Sequence, residues 1–119
     1  MPTYNGPERR KSKRVSLEID VEFNTPGGLR TGKTQDAGLD GFFVASPHAL
    51  AKGVSVPFTL RHPRIEVPFK LVGRVVHIRT GPDKTPVGMG VEIRQIPSGA
   101  DPSFDQYRSF VEEILYKKN

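Results

Sequence analysis

The stretch VSLEIDVEF, residues 15–23, alternates strictly between apolar and polar side chains. Successive side chains of a β-strand point to opposite faces, so this period of two predicts a half-buried strand whose odd-numbered residues face a core. Residues 24–28 include Pro26 and two glycines, which predicts a turn. A weaker strand over residues 29–34 is then expected to return antiparallel to the first. The fold is therefore expected to begin with a β-hairpin.

Four more apolar or alternating stretches predict further strands: residues 42–45, 54–60, 65–71 with a continuation to 78, and 89–93. Within the second of these, Pro57 cannot donate to a strand ladder, so we expect it at an edge or a bulge. Beyond Gly73 the alternating apolar residues move from odd-numbered to even-numbered positions, Val76 and Ile78, which predicts a bulge that bends the strand.

The C-terminal residues 102–117 predict a helix. Their apolar side chains recur at helical spacing: Phe104, Tyr107, Val111, Ile114 and Leu115. Asp101 or Ser103 can cap the helix and Pro102 suits its first turn, while Lys117 and Lys118 suit a helix C-terminus. Six or so short strands followed by one helix predict an all-β fold, a small antiparallel barrel with a C-terminal helix packed against it.

The composition excludes several classes of protein. A chain of 119 residues suits one compact domain, and the absence of cysteine excludes disulfides, thiolate metal sites and a cysteine nucleophile. No apolar run approaches the roughly 20 residues that span a bilayer, and the N-terminus lacks the apolar segment of a signal peptide. We therefore expect a soluble, cytoplasmic protein with no membrane insertion.

The positive charge is concentrated at the N-terminus. Residues 1–14 hold five basic side chains against one acidic one, a net charge of +4, whereas residues 15–119 carry only +1. This predicts a flexible basic arm over residues 1–14 ahead of a single domain over residues 15–119. Such arms often meet phosphates, and the alternative interpretation is a solvated tail that maintains solubility.

The polar residues do not suggest an enzyme. His48, His62 and His77 lie in separate segments without metal-ligand spacing, and we find neither a serine nucleophile elbow nor a P-loop lysine. Gly88 and Gly90 flank Met89 at the start of a strand, which favours close backbone packing over a dinucleotide fingerprint. We expect no catalytic residues, no metal and no cofactor.

Two segments carry residues suited to a nucleotide. Arg10 and Arg14 lie four residues apart directly before the first strand, and arginine binds phosphate bidentately and stacks on or hydrogen-bonds guanine. The segment from Asp36 to Gly41 is expected to form a tight glycine-containing loop between two strands. Its carboxylate can accept hydrogen bonds from a guanine N1–H and amine, although a turn with a capping aspartate explains the same residues.

Taken together, in this order and spacing, the two segments resemble the PilZ domain, the bacterial receptor module for cyclic di-GMP (c-di-GMP). Arg10 and Arg14 match the family's Arg-x-x-x-Arg motif, with Arg9 as its common extra arginine. Asp36 and Gly41 match the first and last positions of its Asp/Asn-x-Ser-x-x-Gly motif. Two strand segments also look like the family's third and last strands: residues 41–44 and 88–93. The resemblance covers about residues 8–115.

The resemblance implies a six-stranded antiparallel barrel with a C-terminal helix, and a receptor or adaptor that binds c-di-GMP. The arginine arm is implied to wrap the ligand and contact its phosphates and guanine, while the second motif holds a guanine edge and ribose. The implied ligand-binding residues are Arg9, Arg10, Arg14, Asp36, Gly38 and Gly41. The implied partner is an unidentified protein of motility or surface machinery.

The sequence departs from the family pattern at Gly38, where the motif has serine. The missing hydroxyl contact is worth about 0.5–1.5 kcal/mol, a loss of roughly tenfold or less in affinity, and glycine also loosens the backbone. The first hypothesis is a c-di-GMP receptor, and the alternative is a degenerate interaction module that does not bind the ligand. A third, nonspecific nucleic-acid binding by the arm, is disfavoured because Tyr4 is the arm's one aromatic for stacking.

Overall fold

The computed structural model describes residues 14–94 and 103–116. These ranges form seven strands and one helix: β1 (Arg14–Ser16), β2 (Asp20–Thr25), β3 (Gly28–Gly38), β4 (Gly41–Ala45), β5 (Ser55–Arg61), β6 (Phe69–Thr80), β7 (Pro86–Arg94) and α1 (Ser103–Tyr116). All pairings are antiparallel, in the order β1-β3-β2-β5-β6-β7-β4, and β4 also pairs with β3. That last pairing closes β2–β7 into a six-stranded barrel, so the predicted fold class is confirmed.

The first predicted strand is broken, which corrects the expectation of one strand over residues 15–23. The hydroxyl of Thr34, buried at 1% exposure, fills the gap between β1 and β2. It accepts a hydrogen bond from the Ile19 N–H at 2.8 Å and donates one to the Leu17 carbonyl. The chain therefore bends around Thr34, and β1 and β2 pair with different parts of β3.

Pro57 lies where the sequence predicts it, at an edge. The pairing of β5 with β2 covers Phe58 to Arg61, whereas Pro57 is paired with Val72 of β6 alone. At Pro57, β5 has a paired strand on one side only, so the missing N–H of proline does not interrupt pairing with a second strand.

The strand that follows differs from the prediction at both its start and its bulge. β6 begins at Phe69, and Val67 lies in the preceding loop with its side chain exposed. The predicted bulge is present between Val75 and His77. Its core-facing residue, however, is Val75, while Val76 is 41% exposed. Because both valines are apolar, the alternation alone does not show which one the bulge turns outward.

The barrel core is formed by alternate residues of the strands. Its fully buried apolar side chains include Val21, Phe23, Phe42, Val44, Phe58, Leu60, Val75, Met89 and Val91. The helix α1 packs against β6 and β1 and buries Tyr107, Phe110 and Val111. Burying one such side chain contributes about 1.5–3 kcal/mol, so this packing holds the helix firmly against the barrel.

The start of α1 is fixed to the barrel by Ser103. Its hydroxyl accepts a hydrogen bond from the backbone N–H of Lys70 on β6 at 3.1 Å. The other residues predicted at the helix ends lie outside the described residues: Asp101, Pro102, Lys117 and Lys118. Within the described ranges, no helix has the length and apolar character needed to cross a membrane.

Candidate functional site

Most of the second motif forms part of the sheet, which corrects the expectation of a loop from Asp36 to Gly41. The end of β3, residues 36–38, pairs with β1 on one side, and its residues 36 and 37 pair with β4 on the other. Only residues 39 and 40 form the bend, and the Ile93 N–H of β7 donates to the Asp40 carbonyl at 3.0 Å. The glycines suggest a loop, but the backbone of this segment is paired with the neighbouring strands, so the motif is held rigidly.

The structure brings the two predicted motifs into direct contact. Arg14 Nη1 donates to Asp36 Oδ1 at 2.7 Å, a short charge-assisted hydrogen bond. The side chains are 19% and 31% exposed, respectively, so the pair is partly shielded but reachable from solvent. In the described part of the chain, Arg14 Nε is buried without a hydrogen-bond partner. The pair therefore holds a guanidinium and a carboxylate together on the outer surface of the barrel.

The remaining predicted residues of the second motif lie beside this pair. Gly38 is buried and is the cross-strand partner of Arg14. A Cβ on Gly41 would lie 3.3 Å from Arg14 Nη2 and 2.4 Å from the Val91 carbonyl oxygen. The Arg14 side chain therefore lies over Gly41. Residues 9 and 10, both predicted site arginines, lie outside the described residues.

The site has one contact that the sequence analysis missed. The hydroxyl of Tyr107 on α1 donates a hydrogen bond to the Gly38 carbonyl at 2.7 Å, and both groups are buried. Burial raises the pKa of Tyr107 above its ordinary value, so the phenol stays neutral and remains a donor at physiological pH. A buried tyrosine needs a partner for its hydroxyl, and that need is the signal available in the sequence. This hydrogen bond connects the helix directly to the second motif.

Replacing Tyr107 by phenylalanine is expected to lower the free energy of unfolding by about 1–3 kcal/mol, because the Gly38 carbonyl loses its buried partner. The raised pKa also predicts a pH effect. Above about pH 10, Tyr107 loses its proton in the unfolded chain but keeps it in the native protein. The free energy of unfolding therefore falls as the pH rises further. Urea unfolding from neutral to alkaline pH should show this fall in the wild type, about 1.4 kcal/mol more per pH unit than in Tyr107→Phe.

The matched control for this prediction is Tyr116→Phe, which alters an exposed tyrosine of the same helix. This control should follow the wild-type profile. If Tyr107→Phe and the wild type lose stability equally at alkaline pH, the hydroxyl does not serve as the buried donor described above.

Comparison with known proteins identifies the family. The sequence model of the PilZ domain matches residues 8–111, a range that includes both motifs. The chain belongs to the PilZ domain family. PilZ domains are receptor and adaptor modules, and the match indicates no catalytic family. In the described ranges, 14–94 and 103–116, no cluster of three or more histidine or acidic side chains is arranged to hold a metal ion.

Solved structures with this fold include other PilZ proteins. The Bacillus subtilis inhibitor of motility MotI/DgrA matches with a TM-score of 0.70 and 18% identity over 94% of this chain and 53% of its own. The PilZ domain of YcgR from Escherichia coli with c-di-GMP matches with a TM-score of 0.64 and 12% identity, over 93% and 97%. The PilZ domain of CeSA from a cellulose-synthesizing bacterium gives 0.57 and 21%, over 85% and 99%.

These similarities establish the PilZ fold. The chain spans about half the length of the Bacillus protein. Comparison with curated protein sequences gives no match.

Proposed function

We propose that this PilZ protein is a receptor for c-di-GMP that regulates a partner protein when the ligand binds. The observation that carries the proposal is the 2.7 Å contact between Arg14 and Asp36, which joins the two ligand motifs at one place on the barrel surface. The family membership and the c-di-GMP complexes of YcgR support the same ligand. The Bacillus relative is described as an inhibitor of motility, which supports motility machinery as the partner.

The chemistry of the site suits a guanine dinucleotide. Asp36 uses Oδ1 to accept from Arg14, and a carboxylate has further acceptor capacity for a guanine N1–H and amine. Arg14 is partly exposed, and its guanidinium has further N–H donors beside the one used on Asp36 for a phosphate oxygen. Arg9 and Arg10 would add two more guanidiniums to neutralise the two phosphates. The receptor would act in the cytoplasm, without a cofactor or a metal.

Titration calorimetry with c-di-GMP on the wild type and on Gly38→Ser tests the proposal. The wild type is expected to bind with micromolar affinity, and Gly38→Ser to bind up to about tenfold more tightly through the added hydroxyl. Cyclic di-AMP serves as the control ligand. It should bind far more weakly, because adenine lacks the guanine N1–H and amine from which Asp36 would accept hydrogen bonds. If the wild type releases no heat at high micromolar c-di-GMP, the receptor proposal is wrong.

The second candidate function is a PilZ interaction module that docks a protein partner without binding c-di-GMP. Gly38 favours it, because glycine at the serine position removes one ligand contact. In that case the wild type gives no heat with c-di-GMP, while Gly38→Ser gains measurable affinity. Binding of the nucleotide by the wild type excludes this candidate.

A further inference from the structure

The outer surface of the barrel beside the Arg14–Asp36 pair is formed largely by glycines. Gly41 of β4 and Gly88 and Gly90 of β7 face outward, because the residues that alternate with them are buried in the core. The Arg14 side chain already lies over Gly41. We call the surface formed by Gly41, Phe43, Gly88 and Gly90 the glycine wall. Arg14 covers Gly41 and Phe43 covers Gly88, so Gly90 is the glycine of this wall that remains partly exposed.

Phe43 is the large side chain on this wall. It faces away from the barrel core and yet is only 6% exposed. Its ring lies against Gly88, where a Cβ would stand 2.4 Å from Phe43 Cζ. The guanidinium of Arg79 lies over the ring, with Cζ 4.2 Å from its centroid. The ring is therefore packed between a glycine backbone and a cation, and it fixes the position of that cation.

Arg79 lies on the same face of the barrel as the ligand motifs. The cross-strand partners run from Asp36 to Phe43 and on to Gly90, and Gly88 is the partner of Arg79. Cross-strand partners point to the same face, and strands are spaced about 4.8 Å apart. Three spacings separate β3 from β6, and Arg79 lies two residues along β6 from His77, the partner of Gly90, so Arg79 lies about 16 Å from Asp36 across the glycine wall.

We propose that Arg79, held in place by Phe43, is an additional binding residue for c-di-GMP that stacks on one of its purine bases. The inference rests on the proposed function and extends its site beyond the two motifs. Arg79 is exposed as a whole, so its guanidinium is accessible from the side opposite the ring. A guanidinium stacks on planar π-systems, as this one already does on Phe43.

Calorimetric titration of the full chain with c-di-GMP tests this contact. Arg79→Ala is expected to bind about tenfold more weakly than the wild type. Arg79→Lys should be weakened nearly as much, because lysine keeps the charge but loses the planar group. The matched control is Arg61→Ala, which removes one arginine from β5 on the far side of the barrel and should change affinity less than about twofold. Thermal unfolding confirms that each variant is folded.

A spectroscopic measurement separates stacking from a structural role. In the wild type, the side-chain protons of Arg79 should shift upfield when c-di-GMP is added, because the purine ring current reaches them. Unshifted Arg79 protons, or wild-type affinity in Arg79→Ala, overturns the inference while leaving the receptor function intact. Wild-type affinity in Arg79→Lys also overturns it, since charge alone would then suffice. Absence of binding to the wild type overturns both proposals.

Discussion

Replacing Arg10 and Arg14 together by alanine is expected to weaken c-di-GMP binding by more than about 100-fold. Each guanidinium is proposed to make charge-assisted hydrogen bonds worth about 1.5–3 kcal/mol, and about 1.4 kcal/mol corresponds to tenfold in affinity. Removing Arg14 has a second cost. Its Nη1 lies 2.7 Å from Asp36, so the variant leaves an unneutralised carboxylate facing an anionic ligand. Titration calorimetry of the wild type and the double variant measures the loss.

Two double variants separate specific contacts from general charge. Arg10→Lys/Arg14→Lys keeps both charges but loses the bidentate geometry, and it should still lose about tenfold in affinity. Arg30→Ala/Arg61→Ala removes the same charge from β3 near the β2–β3 turn and from β5, and it should stay within about threefold of the wild type. Equal affinities of the two double alanine variants would show that the arginine motif acts only through its charge.

Alternation of apolar side chains predicted most of the barrel because burial of one face is what selects a strand. It located the core residues Val21, Phe58 and Met89 and their strands, and helical spacing located α1. It did not predict the break between β1 and β2. That break depends on the Thr34 hydroxyl, which comes from a different strand and satisfies backbone groups of residues 17 and 19.

The candidate site was predicted residue by residue but not in its internal contacts. Motif spacing singled out Arg14 and Asp36 as two ligand contacts, whereas the structure shows that they also bind each other. That contact follows from the register of β1 on β3, which the pattern of the sequence does not fix. The same holds for Tyr107, whose partner Gly38 is 69 residues away in the chain.

Gly41→Ala is expected to lower the free energy of unfolding by about 3 kcal/mol, even without ligand. A Cβ at this position would lie 2.4 Å from the carbonyl oxygen of Val91, and real Cβ atoms essentially never come within 3.0 Å of another heavy atom. The obstacle is the backbone of β7, paired on both sides, so a side-chain rotation cannot relieve the clash. Denaturant unfolding of the ligand-free protein measures the effect.

The matched control is Gly90→Ala, on the same wall, where the new Cβ would meet the Cβ of His77 at 3.3 Å. A few tenths of an ångström of movement accommodates it, so a change below about 1 kcal/mol is expected. The comparison decides why the second motif ends in glycine. A large loss of stability in Gly41→Ala alone means that the barrel itself requires glycine there. Any loss of c-di-GMP binding in that variant is then a consequence of the destabilised fold. Wild-type stability with lost c-di-GMP binding would mean instead that Gly41 serves the ligand.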